Sequence, residues 1–219
     1  MKFNSTNWVN LIIIIIFGCL LYKSNIVEAM SQDKEASQNK EPTIILLGDS
    51  ILNNDPYVKK DKSVSAILKK SYANTRLLAK DGSTIADVYS QIKDINRSKN
   101  TFLFLSAGGN DILSLIDAIG VPAINENTPD DLYEGVDEIF DNYINLVEDI
   151  KKQLPNTNIA LFNLYYPVDY SFSFSTDPDT IKRLITRWNK RLTDKYKQKQ
   201  TSTPSIIKLN NLLSKKEDF

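Results

Sequence analysis

The chain has 219 residues, of which 42% are hydrophobic and 25% charged, a composition that suits one globular α/β domain. Its 27 lysine and arginine residues balance 27 aspartate and glutamate residues, so no net field directs the protein towards nucleic acid or an anionic membrane. A single cysteine excludes an intramolecular disulfide, and the sequence contains no histidine.

The first 29 residues have the three-part layout of a secretory signal peptide. Lys2 lies in a short polar start, residues 11–22 are apolar, and Val27 and Ala29 are spaced as in a cleavage site. The apolar run is short for a membrane-spanning helix, which needs about 20 residues. A cleaved signal peptide is therefore predicted, with an uncleaved membrane anchor as the alternative. Both predict a domain outside the cytoplasm, and this segment is the only predicted route to membrane association.

The sequence around Cys19 loosely resembles a bacterial lipobox. The apolar run continues beyond this cysteine to Tyr22, and Phe17 is bulky for a lipobox position, so lipidation is the weaker interpretation. Residues 30–42 are polar and charged without an apolar period, which predicts a flexible linker. The linker leads into a domain predicted over residues 43–219.

After the linker, strand-like apolar runs alternate with segments of helical periodicity. The predicted strands cover residues 43–48, 75–80, 101–107, 158–166 and 205–211. The predicted helices cover residues 63–72, 85–95, 132–150 and 178–192, with Thr84 as an N-cap and a long loop over 112–129. This alternation predicts an α/β fold, a three-layer α/β/α sandwich around about five parallel strands.

Small and polar residues follow the first three predicted strands. The three segments are Gly48-Asp49-Ser50, Asp81-Gly82-Ser83 and Gly108-Gly109-Asn110-Asp111, and they hold four of the seven glycines in the chain. In open α/β sheets, ligands bind outside the carboxyl ends of the strands, where all three segments are expected to meet. The sequence therefore predicts a site at this edge of the sheet.

The residue types at the strand ends suit acyl transfer. Ser50 is predicted as the nucleophile. The N–H groups of Ser50 and Gly82 and the side-chain amide of Asn110 are predicted to stabilise the oxyanion. The alternative makes Ser50 a helix cap, Gly82 a turn residue and Asn110 a loop amide.

Three further residues of the same turns are placed beside the substrate: Asp49, Gly109 and Asp111. For Asp49 and Asp111 we also expect hydrogen bonds from backbone N–H groups that brace the turns.

These segments resemble, in order, the sequence blocks of the SGNH (GDSL) hydrolase superfamily. The GDS serine matches Ser50, the lone glycine matches Gly82, and the GxND asparagine matches Asn110. The resemblance covers about residues 43–219 and implies a flavodoxin-like fold and hydrolysis of acyl or acetyl esters. It carries over Ser50 as nucleophile and the three oxyanion-hole residues. We expect a monomer that acts on a small ester or acylated substrate, with no cofactor, metal or nucleic-acid partner.

The chain departs from the family in its fourth block, DxxH, because no histidine is present to act as general base. Asp218 falls about where this block begins and is predicted as its acid, with a surface residue as the alternative. Only eight residues follow the fifth strand, too few for the helix expected to cover it, so we expect the sequence to stop early. A short natural C-terminus is the other interpretation.

Two functions follow from the sequence. The first is an exported serine hydrolase of the SGNH type. The second is a catalytically silent binding module on the same fold, because the histidine is missing. Flavin binding is disfavoured, since the loop after the first strand lacks a hydroxyl-rich phosphate cradle.

Overall fold

A computed structural model describes residues 41–93, 95, 100–119, 130–166, 178–197 and 203–209. Five parallel strands form one sheet in the order β2-β1-β3-β4-β5. They are β1 (Thr43–Gly48), β2 (Thr75–Leu77), β3 (Thr101–Ser106), β4 (Thr157–Phe162) and β5 (Ser205–Ile207). This is the flavodoxin-like order, and it confirms the predicted fold class.

Within the described residues, five α-helices connect and cover the strands. They are α1 (Val64–Ser71), α2 (Ile85–Ile92), α3 (Gly109–Ile119), α4 (Asp130–Gln153) and α5 (Pro178–Lys195). Apolar side chains of α1 pack on one face of the sheet, whereas those of α2 to α5 pack on the other. The described residues therefore form the predicted three layers. The chain crosses to the opposite face between α1 and α2, which creates the crevice where such folds bind ligands.

The central strands are continuous apolar runs because both of their faces are covered. Ile45 and Leu47 of β1 face the layer of four helices, and Ile44 and Leu46 face the layer of α1. β1 and β3 pair in register over their full length, ending with Gly48 opposite Ser106. The residues that follow both strands therefore emerge side by side.

β2 and β4 are shorter than the sequence predicts, as is β5, which ends at Ile207 instead of residue 211. β2 ends at Leu77, although the N–H groups of the next three residues still donate to β1 carbonyls at 2.8–2.9 Å. β4 ends at Phe162, after which Asn163 donates its backbone N–H to the Ile207 carbonyl of β5. In both cases the backbone leaves regular strand pairing before the apolar run ends.

The prediction of a loop over residues 112–129 is wrong for residues 112–119, which are helical. α3 begins at Gly109 and continues to Ile119, with Ile112 and Ile116 buried against the core. These two isoleucines are four residues apart, the spacing of one helix face. Residues 120–129 lie outside the described part of the chain.

The predicted N-cap of α2 is confirmed. The Asp87 carboxylate accepts hydrogen bonds from the backbone N–H and the hydroxyl of Thr84, both at 2.9 Å. The Asp87 carboxylate thus satisfies the Thr84 N–H at the start of the helix, so α2 begins at a fixed point after β2.

Trp188 of α5 is fully buried at the end of β3. Its ring packs edge-on against Phe140, with ring centroids 5.1 Å apart. A Cβ added to Gly108 would lie 2.5 Å from the Trp188 ring, and Gly108 has a φ of +102°. The turn between β3 and α3 therefore requires glycine at this position.

Several predictions fall on residues outside the described part of the chain. These are the signal peptide or anchor, Cys19, most of the linker, Asp218 and the expected C-terminal helix. Within the described residues, no helix has the length and apolar character that crossing a membrane requires.

The two neighbouring glycines between β3 and α3 provide a matched test of the packing. We expect Gly108→Ala to lower the free energy of unfolding by about 2–4 kcal/mol, through backbone strain and contact with Trp188. Gly109→Ala should change it by less than about 0.5 kcal/mol, because its Cβ would meet Leu164 at 3.7 Å. Urea unfolding of both variants measures the difference, and equal effects would contradict this account of the turn.

Candidate active site

Ser50 follows a sharp turn at the carboxyl end of β1. Gly48 has a φ of +116°, and a Cβ added there would lie 1.7 Å from the Ser106 carbonyl oxygen of β3. The next residue, Asp49, donates its backbone N–H to the same carbonyl at 3.0 Å. Because β1 and β3 approach so closely, only glycine fits. Half-buried Ser50 emerges directly beside the end of β3.

Ser50 does not cap a regular helix. The next α-helix begins 14 residues later, at Val64, and its cap is Ser63, whose hydroxyl accepts from the Ala66 N–H. The turn that contains Ser50 is capped instead by Asp49, which accepts from the Ile51 N–H at 3.1 Å. The helix-cap alternative for Ser50 is therefore wrong.

The Asp49 side chain lies beneath the turn and is only 4% exposed. Besides the Ile51 N–H, it accepts a hydrogen bond from the Ser106 hydroxyl at 2.8 Å. Its burial contradicts the predicted contact with substrate and agrees with the predicted bracing role. Burial raises the pKa of this carboxyl to about 7, although its hydrogen bonds act in the opposite direction.

The loop after β2 brings Gly82 to the same edge of the sheet. Gly82 is exposed, and a Cβ added to it would meet no heavy atom within 4 Å. The space beside its backbone is therefore open. Ser83, the next residue, is buried, and its carbonyl accepts a hydrogen bond from the Asn110 side chain.

Asn110 is the second residue of α3, so the alternative that made it a loop amide is wrong. Its Nδ2 donates to the Ser83 carbonyl at 2.8 Å, which directs the carboxamide towards the loop that carries Gly82. A side-chain amide nitrogen carries two N–H groups, and this bond uses one of them. The nearby N-terminus of α3 adds a partial positive charge.

The other two predicted substrate contacts also lie in the first turn of α3. Both carboxylate oxygens of Asp111 accept from the Ile85 N–H, at 3.2 and 3.1 Å. Asp111 thus ties the start of α3 to the start of α2, as the bracing prediction requires. Burial raises the pKa of Asp111, and the bond from Ile85 offsets part of this effect. Gly109 is half-buried, and its contact with substrate stays a prediction.

Sequence reasoning missed Gln91, a buried residue of α2. Its Oε1 accepts from the Gly48 N–H at 2.8 Å, and its Nε2 donates to the Gly48 carbonyl at 3.0 Å. Nε2 also lies 3.2 Å from the Ser83 hydroxyl oxygen. The available signal was its spacing, because Gln91 follows Val88 by three residues on the apolar face of the helix.

The structure therefore links the three predicted segments by hydrogen bonds at one edge of the sheet. It brings Asn110 to the loop of Gly82, and Gln91 joins that loop to the turn of Ser50. Asp218 lies outside the described residues. The described residues include no group of histidine, cysteine, aspartate and glutamate side chains that could hold a metal ion.

The strand order and helix layers define a flavodoxin-like α/β protein. No protein-family model and no curated protein matches the sequence. Solved structures do match, among them a member of the lipolytic protein G-D-S-L family from Veillonella parvula. It is 15% identical with a TM-score of 0.50, and the match covers 77% of this chain and 78% of that one.

Two Streptomyces enzymes are similar in the same way. Phospholipase A1 from Streptomyces albidoflavus has a TM-score of 0.53 and an extracellular lipase from Streptomyces rimosus one of 0.52. Each is 14% identical, and each match covers 78% of this chain and 81% of the other. The chain thus has the fold of the SGNH (GDSL) hydrolases. The resemblance predicted from sequence is confirmed at the level of the fold.

The buried Asp49 carboxyl makes stability depend on pH. Its pKa rises from an ordinary 3.8 to about 7 in the folded state, so the folded chain binds the proton more tightly than the unfolded chain. The free energy of unfolding should therefore fall as pH rises from about 4 to about 7, by up to roughly 4 kcal/mol. Urea unfolding at pH 4.5, 6 and 8 measures this. Asp49→Asn should weaken the dependence and leave the part due to Asp111, whereas the exposed control Asp117→Asn should retain it in full. An unchanged slope in Asp49→Asn would contradict the assignment.

Proposed function

We propose that the protein is an exported ester hydrolase of the SGNH type, with Ser50 as its nucleophile. The Ser50 hydroxyl oxygen attacks the carbonyl carbon of an acyl or acetyl ester, the alcohol leaves, and water then hydrolyses the acyl-serine. The proposal is carried by one observation. The Asn110 carboxamide is hydrogen-bonded onto the loop of Gly82, at the sheet edge where Ser50 emerges.

In this proposal the N–H groups of Ser50 and Gly82 and the second amide N–H of Asn110 bind the oxyanion. Such donors act because they are oriented before the negative charge develops, and each is worth roughly 2.7–4 kcal/mol in the transition state. The open space beside Gly82 supports access of a carbonyl oxygen to this place. Gly109 is proposed to line the acyl side of the same space.

The reaction also requires a base to take the Ser50 proton. The 219 residues contain no histidine, and the two nearby carboxylates already accept hydrogen bonds from Ile51, Ser106 and Ile85. In subtilisin, the loss of the triad histidine lowers kcat by about 10⁶. We therefore propose that Ser50 of this chain is acylated slowly unless a general base is supplied. We propose Asp218 as the carboxylate that would pair with such a base.

The N-terminal segment supports the proposed export, because residues 1–29 have the layout of a signal peptide or an anchor. The similar structures from Streptomyces are a phospholipase A1 and an extracellular lipase. We propose the same broad substrate class, carboxylic esters, for this chain.

The missing histidine favours a second candidate, a binding module that holds an acyl or acetyl group without cleaving it. The oxyanion-binding donors would be the same in both candidates. They differ only in whether a bond to Ser50 forms.

Supplying the base tests the proposal directly. We expect a fluorophosphonate probe to label Ser50 slowly and Ser50→Ala not at all. Free imidazole at high millimolar concentration should accelerate labelling at least tenfold, because it replaces the absent general base. Cleavage of 4-nitrophenyl acetate in imidazole gives a second readout, with Ser50→Ala as the control for hydrolysis by imidazole itself.

The outcomes separate the two candidates. Labelling that imidazole accelerates and that Ser50→Ala abolishes supports the hydrolase. Saturable binding of short acyl esters by the folded protein, with no labelling at any imidazole concentration, supports the binding module and contradicts the hydrolase.

A further inference from the structure

Gln91 occupies a place where packing alone favours an apolar side chain. It lies on the inward face of α2 between Val88 and Ile92, and it is only 3% exposed. A buried carboxamide is unfavourable unless its donors and acceptor are satisfied. The hydrogen-bond partners of the Gln91 side chain lie in the two segments that precede Ser50 and follow Gly82.

The first partner is the peptide backbone at the tip of β1. On the side of β1 that faces β2, the Leu46 carbonyl accepts from Leu78 and Ala79, and the Gly48 carbonyl accepts from Lys80. The Gly48 N–H lies beyond the end of β2 and has no strand carbonyl opposite it. The Gln91 carboxamide supplies that acceptor and also donates to the Gly48 carbonyl, as a neighbouring strand would.

The second partner, Ser83, extends the link to Gly82 and Asn110, the other residues proposed to bind the oxyanion. Gln91 Nε2 contacts the Ser83 hydroxyl, and the Ser83 carbonyl accepts from Asn110. A continuous series of hydrogen bonds therefore joins the turn of Ser50 to the loop of Gly82 and to Asn110. These segments are far apart in sequence, and Gln91 is 43 residues from Gly48.

We propose that Gln91 is a positioning residue that holds the Ser50, Gly82 and Asn110 donors in one arrangement around the oxyanion. This inference rests on the proposed function. Gln91 itself touches no substrate, and it acts through Gly48 and Ser83. A displacement of about 1 Å in a reacting group costs up to roughly 100-fold in rate, so loss of this link reduces the reactivity of Ser50.

The test uses Gln91→Met, which keeps the length of the side chain and removes its hydrogen bonds. Gln91→Glu keeps the acceptor for the Gly48 N–H and loses the donor to both the Gly48 carbonyl and the Ser83 hydroxyl. The control is Gln153→Met, the same change at the exposed C-terminus of α4, on the opposite edge of the sheet. All variants are compared in the full chain, with imidazole present, by the rate of fluorophosphonate labelling.

We expect Gln91→Met to lower the maximal labelling rate about 10- to 100-fold while the probe concentration at half-saturation changes less than twofold. Gln91→Glu should lower the rate by a smaller factor, and Gln153→Met should match the wild type. Thermal melting of each variant ensures that labelling is measured well below unfolding. A purely structural role would lower the melting temperature without this change in maximal rate.

Gln91→Met leaves the Gly48 N–H without its acceptor, while the Gly48 carbonyl still accepts from Lys80, so a variant that removes less is also needed. Ser83→Ala deletes only the contact between Gln91 and the loop of Gly82. It should lower the maximal labelling rate about three- to tenfold with little change in melting temperature. If Gln91→Met does not fold, a wild-type rate in both Gln91→Glu and Ser83→Ala overturns the proposal.

Failure of this inference differs from failure of the proposed function. Wild-type labelling rates in folded Gln91→Met overturn the positioning role and leave Ser50 as nucleophile. If the wild-type protein itself is not labelled, both the proposed function and the positioning role are contradicted. Amide hydrogen exchange at Gly48 adds a measurement that does not depend on the reaction of Ser50. If the Gly48 amide exchanges as slowly in Gln91→Met as in the wild type, the proposed role of the Gln91–Gly48 hydrogen bond is overturned.

Discussion

The close approach of β1 to β3 at Gly48 and Ser106 determines where the candidate nucleophile lies. An added Cβ would fall 1.7 Å from the Ser106 carbonyl, so the two backbones are in direct contact. Two hydrogen bonds strengthen the contact, from the Asp49 N–H to that carbonyl and from the Ser106 hydroxyl to the Asp49 carboxyl. The β1 tip is therefore held rigidly against β3 where the connections diverge to opposite faces, and Ser50 emerges at the ligand-binding crevice of the fold.

The other side of the same strand end is satisfied differently. β2 ends at Leu77, and a helix side chain, Gln91, completes the pairing that a longer strand would have made with Gly48. A side chain reaches further than a strand backbone, and this one also contacts Ser83. The early end of β2 thus leaves room for its loop to turn back over the edge of the sheet, and the loop remains tied to the β1 turn.

The sequence predicts the parts of this arrangement that local patterns encode. The apolar run of β1, the Thr84 cap and the three strand-end segments are all local signals, and the first two are confirmed in the structure. α3 lies where a loop is predicted, although Ile112, Leu115 and Ile116 recur at helical spacing and pack against the core. Gln91 could not be found from local pattern, since its partner in β1 is 43 residues away and periodicity reports only that its position faces inward.

The polar groups beneath the strand tips support the proposal that this edge binds a ligand. A fold shaped only by stability would bury apolar groups there, yet this one buries the Asp49 carboxyl, whose pKa is raised to about 7, and the Gln91 carboxamide. The cost of burying such polar groups is expected where backbone N–H groups must be oriented towards a ligand as well as hydrogen-bonded. That reasoning applies equally to an enzyme and to a binding module, because both need aimed donors. What distinguishes them is the base that takes the Ser50 proton, so the geometry of the edge and the chemistry of the base are separate questions.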